Sequence, residues 1–455
     1  MTAVSPLPPA ASAAAGVSVL SPRYRATTLG MVALISLVAF EALAVAAAMP
    51  TVAVALDGLR LYALAFGGAL ATSVIGMTVA GRLCDARGPA RPLWLGLTCF
   101  VAGLLLAGLA PRMDILILGR LLQGLGIGAI SVSLYVLVAR TFPEALQPKV
   151  FAAFSAGWVV PSLIGPGLSG LIVQYLGWRW VFLLVPALAI PAALLLRAAL
   201  RDSARPPAAQ PDTRAVVRWA TGAAAAALLL YLGGQQTGML AAALMGAALL
   251  GLAVCSQHLL PPGTLRLRRG LPSVIALRGV AASAFFAAEA FLPLLLQRER
   301  GLTPLWAGVA LSLGALGWFS GSWLQGHQRR GWSRGALLRT GTALMCAGLL
   351  LTAFTLYPAV PLPLALAGWS LTGFGMGLVY PSLSVLTLSM SAPHEQGANS
   401  SALQLSEGVA VATTLALSGS LFAAFVGGHE RLGYLLCFAV TVVLALLGTQ
   451  VARRI

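Results

Sequence analysis

Residues 119 to 128 read Gly119-Arg120-Leu121-Leu122-Gln123-Gly124-Leu125-Gly126-Ile127-Gly128, and 249 positions later the chain repeats the spacing as Gly368-Trp369-Ser370-Leu371-Thr372-Gly373-Phe374-Gly375-Met376-Gly377. Both follow the pattern G-x-x-x-x-G-x-G-x-G. In a bilayer, small residues at such intervals let helix backbones approach closely. A second pair shares nearly the same offset: Glu41 and Glu289 lie 248 residues apart, each in the first span of a six-span group. The spacing therefore predicts two related groups of six helices. Parallel repeats of that kind, facing one another across a midplane site, are an architecture of secondary transporters.

The composition agrees with a bilayer setting. Of 455 residues, 59% are hydrophobic and only 9% charged, with a mean hydropathy of +0.89, against about 25% charged residues in a soluble domain. Such a chain cannot cover a globular surface with polar groups. Soluble enzymes and nucleic-acid-binding domains are thereby excluded. The sequence pI of 11.0 is no footprint for nucleic acid, because the basic residues do not form a water-exposed patch with stacking partners. The five cysteines, Cys84, Cys99, Cys255, Cys346 and Cys437, fall in or beside apolar runs with no C-x-x-C, and read as packing residues, with no metal site.

Apolar runs bounded by charges or by Gly and Pro clusters occur at 28–50, 62–82, 92–110, 114–139, 150–174 and 179–198. Two more follow at 217–234 and 238–259, then six at 272–296, 305–325, 335–356, 362–390, 397–426 and 433–452. The expected organisation is a disordered cytoplasmic tail over 1–27, a six-helix bundle over 28–198, a linker with two extra spans over 199–271, and a second bundle over 272–452. The charges test this map, since short cytoplasmic loops carry the Lys and Arg excess. With both termini inside, cytoplasmic segments hold 21 of the 29 basic residues and outer loops hold six, with Arg120 and Arg278 within spans. That division favours fourteen spans; twelve would follow if the central pair did not cross. The central pair has no acid and one edge arginine, Arg218, which suits a structural or lipid-facing role. Arg278, near a span end, reads as a snorkelling side chain.

After span two stands Gly81-Arg82-Leu83-Cys84-Asp85-Ala86-Arg87-Gly88-Pro89-Ala90-Arg91. It resembles the signature loop G-x-L-x-D-R-x-G-R-R of the major facilitator superfamily at Gly81, Leu83, Asp85 and Gly88, and departs from it at Ala86, Pro89 and Ala90. Arg87 and Arg91 carry the basic charges of the family loop at shifted positions. Gly81 would permit close helix approach, and an Asp85 contact with a helix end or an arginine, made and broken, would latch two states. Span five holds Gly157, Pro161, Gly165, Pro166, Ser169 and Gly170, similar to the superfamily's antiporter motif ending in GP-x-x-GG. Positions 157, 161, 165 and 169 share one helix face. Trp178-Arg179-Trp180-Val181-Phe182 also resembles a start of span six common among drug/proton antiporters.

Glu41, Glu289 and Glu407 lie well inside predicted spans, each at least about 10 Å from a span end at ~1.5 Å per residue. A charge at the bilayer centre costs roughly 2.5 to 3.5 kcal/mol, so such groups face a cavity, pair, or take a proton. Glu41 stands nine residues before Pro50, as the acid does in the D-x-T-I-V-N-V-A-L-P stretch of fourteen-span drug/proton antiporters, with Leu43 and Ala46 replacing the Thr and Asn. Glu407 has Ser406 and Gln404 as local hydrogen-bonding alternatives. Arg120 with Gln123 and Gly124 resembles the superfamily's R-x-x-Q-G motif, whose arginine is associated with proton coupling.

The resemblance implies the all-α major facilitator fold, two six-helix bundles plus two inserted central helices, in the cytoplasmic membrane. It implies proton-coupled export of lipophilic, drug-like compounds by alternating access, with Glu41, Glu289, Glu407 and Arg120 coupling protons. An alternative is a proton-coupled transporter dedicated to one metabolite; a membrane sensor or enzyme would need a longer loop. Phe40, Trp158, Phe286, Trp318 and Trp369, with Tyr135, Phe285 and Tyr380, are candidates to line the substrate chamber. The expected partners are small-molecule substrate, protons and lipid, with no nucleic acid and no cofactor beyond the proton gradient, and a monomer is expected. No Walker A, G-x-S-x-G or H-E-x-x-H motif is present.

Overall fold

A backbone N–H or C=O left unpaired in hydrocarbon costs several kcal/mol, so a long apolar run has little choice but to form a helix. A computed structural model describes residues 18–143, 146–202, 214–236, 238–326, 332–392, 396–426 and 428–455. Its helices are α1 (Arg25–Ala55), α2 (Tyr62–Arg87), α3 (Ala90–Gly108), α4 (Met113–Thr141), α5 (Gln147–Tyr175), α6 (Arg179–Leu194) and the short α7 (Arg197–Asp202). The pair α8 (Arg214–Gly234) and α9 (Gly238–Leu259) follows. Then come α10 (Leu271–Arg298), α11 (Pro304–Gly326), α12 (Arg334–Ala353), α13 (Leu362–Ser389), α14 (Gln396–Phe425) and α15 (Glu430–Ala452). Thirteen of them are long and apolar enough to cross a membrane. The fourteenth expected span is α6, apolar but only 16 residues long, at ~1.5 Å per residue about 24 Å. A turn at 195–196 separates it from α7, so the span expected over 179–198 is broken near its end.

The two motifs of four glycines assign neighbours in the same way. In α4, Gly119 and Gly126 face α3, where an added Cβ would lie 2.7 Å from the Gly103 carbonyl oxygen and 2.6 Å from that of Gly96. Gly124 and Gly128 face α2, where a Cβ would overlap the Ala69 and Ser73 carbonyl oxygens. In α13, Gly368 and Gly375 face α12, the first at 2.8 Å from the Gly348 oxygen and the second overlapping the Gly341 oxygen. Gly373 and Gly377 face α11, where a Cβ would overlap the Gly314 and Trp318 oxygens. No side chain fits at these eight positions without moving a backbone. The fourth helix of each six therefore wedges between the second and third, and the repeat read from the spacing is a repeat of packing.

Around this core α1 packs on α5 and α6, and in the second half α10 packs on α14 and α15. The halves meet along two seams, α5 with α11 and α2 with α14. The inserted α8 covers the second seam, touching both α2 and α14, and α9 packs mainly on α8. Tyr231 of α8 donates its hydroxyl to the Arg60 carbonyl, and Ser420 of α14 donates to the Leu230 carbonyl at 3.4 Å. Only 17% of the most apolar window of α9 is covered by protein, which places that helix toward lipid.

Residues 18–27, at the end of the tail expected over 1–27, are described. Residues 1–17 lie outside the described residues, but α1 starts at Arg25. Ahead of it the chain is anchored, with Thr28 donating to the Val19 carbonyl at 2.8 Å and the buried Tyr24 ring 5.0 Å from Phe142. An aromatic flanked by Arg23 and Arg25 carries too little apolar periodicity to signal packing. Both described chain ends lie at one end of the helix bundle, here the termini end; the α1–α2 and α10–α11 connections mark the far end.

Candidate functional site

The first-half acid is enclosed. Glu41, in the middle of α1, is fully buried and paired with Arg120 of α4. Arg120 also donates Nε to the Ala65 carbonyl at 2.9 Å and Nη1 to Gln123 Oε1 at 2.5 Å. The R-x-x-Q-G spacing explains the arrangement, since Arg120 and Gln123 sit one turn apart, while Gly124 beside them brings α2 close enough for its carbonyl to be reached. Glu41 Oε2 and Gln123 Nε2 are buried without a hydrogen-bond partner among the described residues.

At the equivalent place in the second half the cation is missing. Trp369 occupies the motif position of Arg120, is fully buried, and donates Nε1 to the Leu311 carbonyl at 3.2 Å. Glu289, the repeat counterpart of Glu41, is partly exposed and has no hydrogen-bond or ion-pair partner among the described residues. Pro293, four residues on, also has no N–H to offer the Glu289 carbonyl. The next carbonyl, Ala290, instead accepts the Tyr62 hydroxyl from α2 of the other half at 2.5 Å.

Glu407 is not served by Ser406 or Gln404. Arg278 donates Nε to Glu407 Oε2 at 2.7 Å, and Tyr380 donates its hydroxyl to the same carboxylate at 2.8 Å. The Arg278 guanidinium also lies over the Tyr380 ring, 3.1 Å from its centroid. Arg278 is thus buried and paired, which corrects the snorkelling expectation: Tyr380 and Ser384 from α13 and Glu407 from α14 converge on it. Ser406 bonds elsewhere, to the Ile275 carbonyl at 2.9 Å.

Between Glu289 and Glu407 runs an aromatic wall on α10, α11 and α13. Phe285 lies 4.8 Å from Trp369 and 5.2 Å from Trp318, Phe286 lies 6.3 Å from Trp318, and Trp318 lies 5.0 Å from Tyr380. Phe286, Trp318 and Tyr380 are partly exposed, whereas Phe285 and Trp369 are buried behind them. Of the residues expected to line a chamber, Phe286 and Trp318 belong to this cluster and are partly exposed, and the buried Trp369 packs on Phe285. Phe40 packs against Gly165 of α5, and Trp158 is 45% exposed, with no ring contact to this cluster among the described residues.

The tightest contacts between the halves lie toward the far end. A Cβ on Gly170 would overlap the Pro304 oxygen, and one on Gly308 would overlap the Pro166 oxygen. On the other seam Gly419 meets Ala63 and Gly67 meets Leu415, and Thr51 bonds Gln297 at 3.3 Å. This conformation is closed at the far end. Tyr62 was not singled out in the sequence; its only signal is a tyrosine at the start of an apolar run.

A profile for the Major Facilitator Superfamily matches residues 29–414. The chain belongs to this superfamily. It is a multi-pass membrane transporter and not an enzyme. It is 29% identical over 443 residues to a protein of Mycobacterium tuberculosis named as a probable multidrug-efflux transporter, covering 93% of each chain. It is 33% identical over 256 residues to a lincomycin resistance protein of Streptomyces lincolnensis, covering 51% of this chain and 50% of that one. The crystal structure of an auto-inhibited POT family peptide transporter superposes with a TM-score of 0.68 at 17% identity, over 94% of this chain and 97% of that one, a likeness of fold.

The superfamily's two loop and helix motifs fall at mechanically distinct places. In the signature loop, Gly88 ends α2 at φ 80°, a conformation suited to glycine, and Arg87 and Arg91 are exposed. Arg140 of α4 donates to the Cys84 carbonyl at 3.1 Å, tying the end of α2 to α4. The Asp85 side chain lies outside the described residues. Gly81 departs from the expected close approach, because a Cβ there would meet nothing within 4 Å. In the antiporter motif, Gly157 and Gly165 pack on Ser36 and Phe40 of α1, and Ser169 donates to the Ala44 carbonyl at 2.7 Å. Pro166 and Gly170 meet α11 of the other half. One face of α5 therefore holds its own half together while the adjoining face forms the seam.

Proposed function

We propose that this transporter exports small lipophilic, drug-like compounds across the cytoplasmic membrane in exchange for protons, with both termini in the cytoplasm. The observation that carries the reading is Glu289, a carboxylate without a partner among the described residues, beside a partly exposed aromatic wall. A carboxylate in that position can hold a proton or lie next to a cationic cargo, but not both, and such exclusivity is the chemical basis of antiport. The names of the similar proteins, a multidrug-efflux transporter and a lincomycin resistance protein, support drug export. With termini inside, the far end is the outer face, and the structure corresponds to the state closed to the outside.

In this cycle Glu289 releases its proton inward and accepts cargo, and the halves rock along the α5/α11 and α2/α14 seams. A proton arriving from outside then displaces the cargo. Glu41 with Arg120, and Glu407 with Arg278, are the ion pairs whose partners exchange as the halves move, and the signature loop with Asp85 is the latch of that movement. Each proton moved inward supplies about 2.3 kcal/mol per 100 mV beyond the pH gradient. The test uses proteoliposomes carrying an imposed pH gradient and a panel of lipophilic dyes and antibiotics, lincomycin included. The wild type is expected to couple substrate efflux to proton uptake, and Glu289→Gln to lose coupled efflux of cations. Equal proton-driven efflux by wild type and Glu289→Gln would overturn the assignment, and activity toward a single compound alone would favour a dedicated exporter.

A further inference from the structure

The inserted helix pair carries a cluster that transport as described does not use. At the termini end of the hairpin, the rings of Trp219 on α8 and His258 on α9 stack with centroids 3.9 Å apart and planes 15° from parallel. The Arg218 guanidinium lies 5.3 Å from the centre of the same indole. His258 Nδ1 donates to the Val254 carbonyl at 2.9 Å, which fixes the tautomer and orients the ring against the indole. Arg218 and His258 are exposed and Trp219 is half-buried.

The charge around this cluster is unbalanced. Between Asp212 and Glu289 the sequence has six arginines and one histidine, and no acidic residue. Of these, Arg278 is neutralised by Glu407. Arg266, Arg268 and Arg269 are exposed on the α9–α10 connection, where Arg454 donates to the Leu267 carbonyl at 3.1 Å. Arg218 has no ion-pair partner among the described residues. The cluster stands at the base of α9, the helix least covered by protein, and so at the level where lipid headgroups meet the helix ends. An indole there anchors at the headgroup region, while the guanidinium held against it presents donors to an anionic oxygen and the imidazole stacks on the same indole. Basic residues at the ends of membrane helices attract anionic lipid in the same way.

We propose that Arg218, Trp219 and His258 form a binding site for the phosphate headgroup of an anionic phospholipid in the leaflet at the termini end, with the acyl chains lying along α9. Phosphate is the shared chemistry of a lipid headgroup and a free anion, and the lipid is the source the lipid-facing surface of α9 favours.

Native mass spectrometry of the full chain in detergent tests this with phosphatidylglycerol and phosphatidylcholine as probes and inorganic phosphate as competitor. Each cation at the membrane surface contributes about five-fold in affinity. The wild type is expected to retain phosphatidylglycerol at least about five-fold better than phosphatidylcholine. Arg218→Gln/His258→Gln is expected to lose that preference with its melting temperature unchanged, whereas Arg268→Gln/Arg269→Gln keeps most of it. Equal retention of the two lipids by the wild type overturns the proposal. So does a preference that survives in Arg218→Gln/His258→Gln, or one lost only in the loop variant. Displacement of the lipid by millimolar inorganic phosphate would assign the cluster to a free anion instead and refute the lipid. None of these outcomes depends on the export reading.

Discussion

Arg120→Met should be among the most damaging single substitutions in the first half, and its cost should depend on pH. Glu41 is fully buried, and Arg120 is its one partner among the described residues. Removing one member of a buried ion pair costs about 3 to 5 kcal/mol, whereas replacing both members with apolar residues of similar volume is often close to neutral. Glu41 has one escape, which is to take a proton. Protonating a carboxyl with a reference pKa near 4.3 costs about 3.7 kcal/mol at pH 7 and about 1 kcal/mol at pH 5. The folded variant then holds one proton more than its unfolded chain, so its stability rises as the pH falls over that window. Equilibrium unfolding in mixed micelles, followed by tryptophan fluorescence at pH 7 and pH 5, measures this for Arg120→Met, Glu41→Met and the double variant. The double variant should lie within about 1 kcal/mol of wild type at both pH values. If Arg120→Met and the double variant lose the same stability, or if Arg120→Met is indifferent to pH, the pair does not hold Glu41 ionised and the reasoning fails.

Two further outcomes follow from close contacts. Gly373→Ala would drive a methyl into the Gly314 oxygen, and overpacking of this sort costs about 1 to 3 kcal/mol or more. Gly81→Ala meets open space and should gain up to about 1 kcal/mol from helix propensity, so the order of the two melting temperatures in detergent is the check. Tyr62→Phe removes the hydroxyl bonded to Ala290 across the halves, worth about 0.5 to 1.5 kcal/mol. It should enrich conformers open at the far end by about two- to twelve-fold, read by labelling a cysteine placed at Thr51.

The repeat was legible because it is written in glycine, where the absence of a side chain is itself the contact: the spacing in 119–128 and 368–377 names two neighbours for one helix, and the structure supplies them. The span boundaries were legible because a bilayer sets helix length, and α9 spans the residues its apolar run marked. The pair of Arg278 and Glu407 was not. Its members lie 129 residues apart on α10 and α14, the counterparts of α1 and α5, whereas Glu41 and Arg120 lie on α1 and α4, so the repeat that paired Glu41 with Glu289 gave no guide to them. Each looked, alone, like a residue with a local explanation. The lack of a cation beside Glu289 was partly legible, since Trp369 stands where the first motif has Arg120, but only the structure shows that no cation from another helix replaces the arginine among the described residues. In the first half Phe40 packs on Gly165 of α5 and Trp158 stands outside the aromatic cluster of the second half, a division that composition alone does not show.

The hydrogen bonds of α8 have a consequence for motion. One runs to the loop before α2 and another comes from α14, so the helix is fastened to both halves at the far end, the end that parts in the proposed cycle. It cannot stay fastened to both. On the proposed cycle α8 has to let go of either Arg60 or Ser420 and ride with the half it keeps, so the two-helix insertion would make an otherwise even-handed rocking machine take sides.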